Sequence, residues 1–246
     1  TCQCILCDLR GINLNKFSPG STDSKINDFA SSNTQASAGW LSCNFSMADL
    51  SHANLQNTDF STVIRGYITP LSHVYFNNAN LTAANLSHSL FRGADFSYAN
   101  LSGANVSQST LFLSNFNQVD FTNANLSYAQ SPIDAMHGWG SNFYQANFHY
   151  TNLNHAQLYG DFRHTNFTHA ALQNSKLAMT IAYAAESGQP CQSNANCWAK
   201  VDFSDANLKG ATLTTVITDN QPADLSQSIF CKTIMPNGRV NNRDCP

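Results

Sequence analysis

The chain has 246 residues, of which 42% are hydrophobic and only 11% charged, less than half the usual charged share of about 25%. A net charge of −3 and a pI of about 6.2 supply no basic stripe to displace phosphate counterions, which argues against nucleic-acid binding. Glu186 is the one glutamate, so acidic mimicry of DNA is disfavoured as well. No stretch approaches the roughly 20 apolar residues of a membrane span. No signal peptide is present, and the start at Thr1 points to a processed N-terminus.

In chain order, Cys2, Cys4 and Cys7 lead into Leu9 and Leu14, and residues 15–40 then lose all regularity. That first gap holds Ser18-Pro19-Gly20, Ile26, Phe29, Trp40 and Leu41 and is expected to form an N-terminal cap with a short helix. From Phe45 a large apolar residue recurs at every fifth position through Leu50, Leu55 and Phe60, and the pattern lapses at 61–73. It returns without a break at Phe76, Leu81, Leu86, Phe91, Phe96, Leu101, Val106, Leu111, Phe116, Phe121 and Leu126. After a lapse at 127–140 come Phe143, Phe148, Leu153 and Leu158, then Phe162, Phe167, Leu172 and Leu177. Lapses at 178–200 and 214–222 separate Phe203, Leu208 and Leu213 from Leu225 and Phe230. Residues 231–246 are expected to cap the other end. These gaps share one register, so 1–246 reads as a single domain with loops.

The 30 centres comprise 16 Leu, 13 Phe and one Val, leaving only Phe17, Phe29 and Phe112 of the phenylalanines off the register. Two residues before each centre the side chain is small, Ala in 14 cases, with Ile12 the exception; between the two lies Asn or Asp in 22. Five residues advance about 500° around an α-helix, so the centres would spread over every face. A long strand has period two and fails too. A short extended piece followed by a turn fits. The small residue and the centre then face inward, and Asn or Asp faces outward, where it can bond nearby backbone. Such pieces bury their inner residues only against pieces above and below, which makes the fold all-β and a solenoid.

Tandems such as Ala79-Asn80-Leu81 and Ala94-Asp95-Phe96 resemble the pentapeptide-repeat proteins, over about 150 residues of repeat. The resemblance implies a right-handed quadrilateral β-helix with four pentapeptides per coil, and no enzymatic activity as a rule. Phe230 to Gly238, with Asn241, Asn242 and Cys245, is similar to the C-termini of cyanobacterial and plant lumenal members; Cys7-Asp8-Leu9 resembles the start of many bacterial ones. With four sides taken from the family, Phe76, Phe96 and Phe116 share a face, and Phe143 lies over Phe162, Phe148 over Phe167, Leu153 over Leu172 and Leu158 over Leu177. The step from Leu158 to Phe162 is one residue short, which reads as a trimmed corner at Gly160. Seven or so coils at about 4.8 Å give a rod roughly 35 Å long.

Eight cysteines in so polar a chain point to an oxidising, extracytoplasmic compartment: secreted, periplasmic or thylakoid lumen. A reduced cytosolic protein with metal-bound cysteines is the rival. Cys191 and Cys197 bracket one polar loop and Cys231 and Cys245 the tail, and local disulfides fit both. Cys2, Cys4, Cys7 and Cys43 allow three pairings; Cys7 and Cys43, at small inward positions, could instead be buried thiols, and the Cys-x-Cys-x-x-Cys spacing is not a usual zinc pattern.

His52, His88, His155, His164 and His169 each fall two residues after a centre and read as solvated corner residues rather than as metal ligands, with His155, His164 and His169 pointing in different directions. No Gly-x-Ser-x-Gly, His-Glu-x-x-His or phosphate-binding glycine loop is present, so neither a catalytic residue nor a cofactor is expected. The expectation is a non-catalytic scaffold presenting a polar rod for protein binding. Glycan binding is the alternative, gyrase binding by DNA mimicry is disfavoured by the charge, and a second copy could dock through a solenoid end. Interface anchors are usually Trp, Tyr and Arg. The third gap supplies Ile133, Met136, His137 and Trp139, and the following coils place Tyr144 in column with Arg163 and Tyr150 with His169. A binding patch is therefore expected at Trp139, Tyr144, Tyr150, Arg163 and His169, against the simpler reading that Trp139 covers a coil edge.

Overall fold

A computed structural model describes residues 5–13, 44–56, 74–135, 138–180, 198, 200–214, 225–226, 228–235 and 237–246, with the backbone of 63–64, 67–68, 181–182, 215 and 221–222. The expected N-terminal cap at 15–40 lies outside the described residues, as do Phe60, Met136 and His137.

Parallel bridges link residues 20 apart in the unbroken run, as in Asn80 to Asn100 to Asp120 and Asn85 to Asn105 to Asn125. Four pentapeptides therefore complete one coil, and the rod has four sides. Side I runs through Asp8, Asp49, Asn80, Asn100, Asp120, Asn147, Asn166, Asp202 and Ile229, and side II through Asn13, Asn54, Asn85, Asn105, Asn125, Asn152, Ala171, Asn207 and Ile234. Side III carries Leu90, Thr110, Gln130, Gln157, Lys176 and Thr212, and side IV Asn44, Tyr75, Asp95, Asn115, Asn142 and Asp161. Side I has nine levels, not seven. Cys7–Asn13 and the 225–235 segment each add a level that the count of complete coils passes over, so the rod is about 40 Å long.

The inward and outward assignment holds residue by residue. Ala48, Leu50, Ala79, Leu81, Ala99, Leu101, Ala104 and Val106 are all buried, whereas Asn100 is exposed. Outward Asn and Asp side chains accept the backbone N–H two residues on, as Asn100 does from Ser102 (2.9 Å) and Asp120 from Thr122 (3.0 Å). The centre carbonyl then accepts the N–H three residues on, as Leu101 does from Ala104 (3.0 Å). The residue between lies in the left-handed region, with φ of +51 to +61° at 21 non-glycine positions among the described residues. That conformation costs about 1–2 kcal/mol for an L-residue; it persists because the corner N–H donates to the next level, as His52 does to Thr82 O (2.9 Å). The corners are thus type II turns fixed from both directions.

Two ladders of rings fill the core. Phe45, Phe76, Phe96, Phe116, Phe143 and Phe162 stack on side IV at 4.7–5.2 Å, and Trp198 continues them at 6.1 Å. Phe121, Phe148, Phe167, Phe203 and Phe230 stack on side I at 4.8–5.7 Å. The column matches expected around the short step are all present, Leu158 pairing with Leu177 and Asn142 with Asp161. At that step a β-carbon on Gly160 would lie 2.3 Å from Ser141 O and 2.8 Å from a Phe143 ring carbon, so only glycine lets the coil take the shortened corner.

Most regular strands gather around the edge between sides III and IV, and the last pair lies in the final level and the tail. In chain order they are β1 (Val63–Ile64), β2 (Tyr67–Ile68), β3 (Gln130–Ser131), β4 (Trp139–Asn142), β5 (Gln157–Asp161), β6 (Lys176–Met179), β7 (Ile181–Ala182), β8 (Thr212–Thr215), β9 (Gln221–Pro222), β10 (Thr233–Ile234) and β11 (Val240–Asn241). Pairing is parallel along β4–β5–β6–β8 and antiparallel in the β1–β2, β8–β9 and β10–β11 hairpins. Every lapse in the repeat falls between a side II or III residue and the next side IV residue. The insertions thus leave from one part of the coil and spare sides I and II.

The tail pairs the last level. Asp244 accepts from Phe230 N (2.8 Å) and donates its own N–H to Phe230 O (2.9 Å), and Arg243 bonds Ser228 O and covers the Phe230 ring at 5.1 Å. Cys231 and Cys245 form a disulfide with Cα atoms 4.6 Å apart. These contacts cover edge groups that a bare last coil would leave open. Cys7 is also disulfide-bonded, so the buried-thiol alternative does not hold for it. Cys2, Cys4, Cys43, Cys191 and Cys197 lie outside the described residues.

Candidate functional site

The corner geometry decides what the rod presents. The second corner residue sits at positive φ, and at several corners it projects away from the packed core: Tyr98, Tyr128 and Tyr150 are 51–55% exposed, whereas Leu113 is buried.

At the corner between sides IV and I, the Arg163 guanidinium lies over the Tyr144 ring at 5.4 Å, a cation–π arrangement. Arg163 is also bonded to the buried Asp161 carboxylate (2.6 Å), whose hydrogen bond pushes the guanidinium pKa up from its ordinary value. The guanidinium therefore stays charged, and its bond to Asp161 locks the stack. His164, edge-on to Tyr144 at 5.4 Å, is held below the ordinary imidazole range by partial burial and then by the positive charges of Lys200 and Arg163.

At the corner between sides I and II, Tyr150 stacks on His169 at 4.5 Å with planes 9° apart. His149 stands edge-on to both, and its Nδ1 lies 2.6 Å from Thr168 Oγ1. Asp205, one level on, is 3.9 Å from His169 Nε2. Both expected columns, Tyr144 with Arg163 and Tyr150 with His169, are thus in contact on the same two levels, either side of side I. Between them Asp120, Asn147 and Asn166 form a ladder, each asparagine Nδ2 donating to the oxygen of the previous level (3.1 and 2.9 Å).

Trp139 stands elsewhere. It is half-buried in β4, paired with Ile181 at the edge between sides III and IV, a full side away from Tyr144. The five residues occupy three successive corners. His155, at the corner between sides II and III, stacks under Tyr128 at 4.8 Å. His155, His164 and His169 accordingly sit at three different corners. Among the described residues no group of three or more His, Cys, Asp or Glu is placed to hold a metal, and no helix is long and apolar enough to cross a membrane.

Two features escaped the fivefold count. Trp198 takes a side IV centre, fully buried, and Met235 packs against the core at the side II position of the last level. Both stand five residues from a recognised centre, Phe203 and Phe230, so the spacing alone could have found them had Trp and Met been admitted.

Residues 42–64, 71–111 and 139–160 match the family model described as pentapeptide repeats, in eight copies. No curated protein matches the chain. Similar solved structures include HetL, described as involved in heterocyst differentiation regulation in the cyanobacterium Nostoc sp. strain PCC 7120, at 18% identity over 96% of this chain and 92% of that one (TM-score 0.26). QnrB1, a plasmid-mediated fluoroquinolone resistance protein, matches at 16% over 96% and 94% (TM-score 0.40). A pentapeptide repeat protein of the Arabidopsis thaliana thylakoid lumen matches at 18% over 69% and 72% (TM-score 0.23). At these identities and TM-scores none of them informs this chain's role.

Proposed function

The chain is a pentapeptide-repeat protein, a right-handed quadrilateral β-helix, and from that premise we propose that it is a non-catalytic scaffold, one solenoid domain over 1–246, that binds a protein through side I and its two flanking corners. The observation that carries this reading is the pairing of Tyr144 with Arg163 and of Tyr150 with His169 on the same two levels. Tyr and Arg are the side chains that anchor interfaces, and here contact between neighbours holds them in place, which lowers the entropy lost on binding. The side between them is flat and hydrogen-bonded to itself, suited to shape matching rather than to enclosing a small substrate. Trp139, on another edge, is assigned to covering the coil. The disulfide-bonded Cys7, Cys231 and Cys245 support an extracytoplasmic site of action, where such bonds persist.

The test is affinity capture from the source compartment with the wild type and with Tyr144→Ser/Tyr150→Asn. Ser and Asn already occupy equivalent corner positions at Ser97 and Asn123, so the fold should tolerate both. Loss of a specific protein partner at unchanged Tm supports the proposal; undiminished capture refutes it.

A further inference from the structure

We propose that side II is a second binding surface, sharing the Tyr150–His169 corner with the face proposed above, for a neutral linear polysaccharide lying along the rod axis. Its first mark is charge. The segments that build side II and its two corners, 51–57, 82–88, 102–108, 122–128, 149–155 and 168–174, contain no Asp, Glu, Lys or Arg. Sides I and IV carry Asp49, Asp95, Asp120, Asp161 and Asp202, and side III carries Lys176. Six successive levels, about 24 Å of rod, thus carry no ion of their own, the first beyond them at that corner being Asp205 beside His169, which selects an uncharged partner.

The second mark is the hydrogen-bonding state of its floor. Asn105 Nδ2 donates to Asn85 Oδ1 (3.4 Å), Asn125 Nδ2 to Asn105 Oδ1 (3.3 Å), and Asn152 Nδ2 to Asn125 Oδ1 (3.1 Å). The same oxygens accept Ser87 N, Ser107 N and Ser127 N (3.1–3.2 Å). Each of these oxygens is doubly used, whereas each amide nitrogen has spent one of its two hydrogens. The floor therefore presents a row of N–H donors at the coil spacing of about 4.8 Å. Its complement is a polymer bearing oxygen acceptors at that repeat. An extended peptide advances about 3.3 Å per residue and falls out of step; a linear glycan, whose sugar length is close to the coil spacing, keeps it.

The third mark is the borders. Tyr150 stacks on His169 along one edge and Tyr128 on His155 along the other. Both tyrosines are 55% exposed, and they present rigid, amphipathic area at low entropic cost. On the level of His169, Ala171 replaces the expected asparagine and ends the amide row, which lowers the floor beside that ring.

The experiment is binding of the purified protein to immobilised neutral glucans, xylans, mannans and galactans, with acidic and sulfated glycans alongside. One neutral class should be retained, with affinity nearly flat from about 50 to about 500 mM salt, since screening acts only on charge. Tyr128→Asn should weaken it by about tenfold, the size expected for loss of one tyrosine anchor. Asn takes the same left-handed turn position at Asn78, Asn123 and Asn174, the last at the same corner as Tyr128, so Tm should not move. Tyr144→Ser, which lies off side II, should leave glycan binding unchanged, separating this site from the protein-binding face. Retention of acidic glycans alone, of a protein but no glycan, or of nothing overturns the proposal, as does binding that survives Tyr128→Asn.

Discussion

Leu101→Ala, Ala104→Leu and Asn100→Ser probe three neighbouring positions whose roles differ completely. Leu101 is fully buried on side I between the centres Leu81 and Phe121, themselves fully buried. Its backbone is held from both levels, Leu101 N donating to Asp120 O (2.8 Å) and Asn100 N to Ala79 O (2.9 Å). The coil cannot collapse into the space that truncation leaves, so Leu101→Ala should cost about 3–5 kcal/mol, the upper part of the range for buried leucines. Ala104 lies between Ala84 and Ala124, all three fully buried, in levels only about 4.8 Å apart. Added carbons have nowhere to go, and Ala104→Leu should cost about 1–3 kcal/mol by overpacking. Asn100 is exposed and its oxygen accepts Ser102 N; serine can make a similar local bond, so Asn100→Ser should cost under about 1 kcal/mol. Denaturant titration followed by far-UV circular dichroism would measure all three. Equal midpoints would refute the inward and outward assignment on which the whole account rests.

Gly160→Ala should destabilise more than Gly103→Ala, because a β-carbon meets Ser141 O at 2.3 Å in the first case and nothing nearer than 4.0 Å in the second, where only a positive φ must be tolerated; thermal melts of the pair decide it. Replacing Cys231 and Cys245 by serine should remove about 3 kcal/mol from a loop of this length, and hydrogen exchange should show the loss confined to the last level, since repeat arrays loosen locally. His164 is depressed in the fold, so the unfolded chain binds its proton first and stability falls as pH drops below about 6.5. His164→Asn should shrink the fall in Tm between about pH 7.5 and about pH 5, and an unchanged slope would show that the imbalance lies elsewhere.

The centres, the small inner residues and the outward Asn and Asp were legible because each is a direct imprint of one coil level on the next. The role of side III was legible too, though only in hindsight. Leu90, Thr110, Gln130, Gln157, Lys176 and Thr212 break the Asn/Asp rule at every described turn of that side, and beside that side the chain departs from the coil into strands and insertions. The left-handed corners were not legible, since residues as different as Tyr128, His155 and Ala83 occupy them; interlevel hydrogen bonds impose the conformation, not local propensity. The Tyr144–Arg163 and Tyr150–His169 columns followed from counting around the short step. Trp139 did not join them, because an insertion between sides III and IV places it by its own strand pairing and not by the repeat.

The most direct test of the interaction surface is site-specific photocrosslinking in the source compartment, with the crosslinker placed in turn at His149, Thr168 and, on the opposite side, Thr110. A partner bound to side I should be trapped from the first two positions and not from Thr110. Crosslinks from Thr110 alone, or equally from all three, would contradict the account.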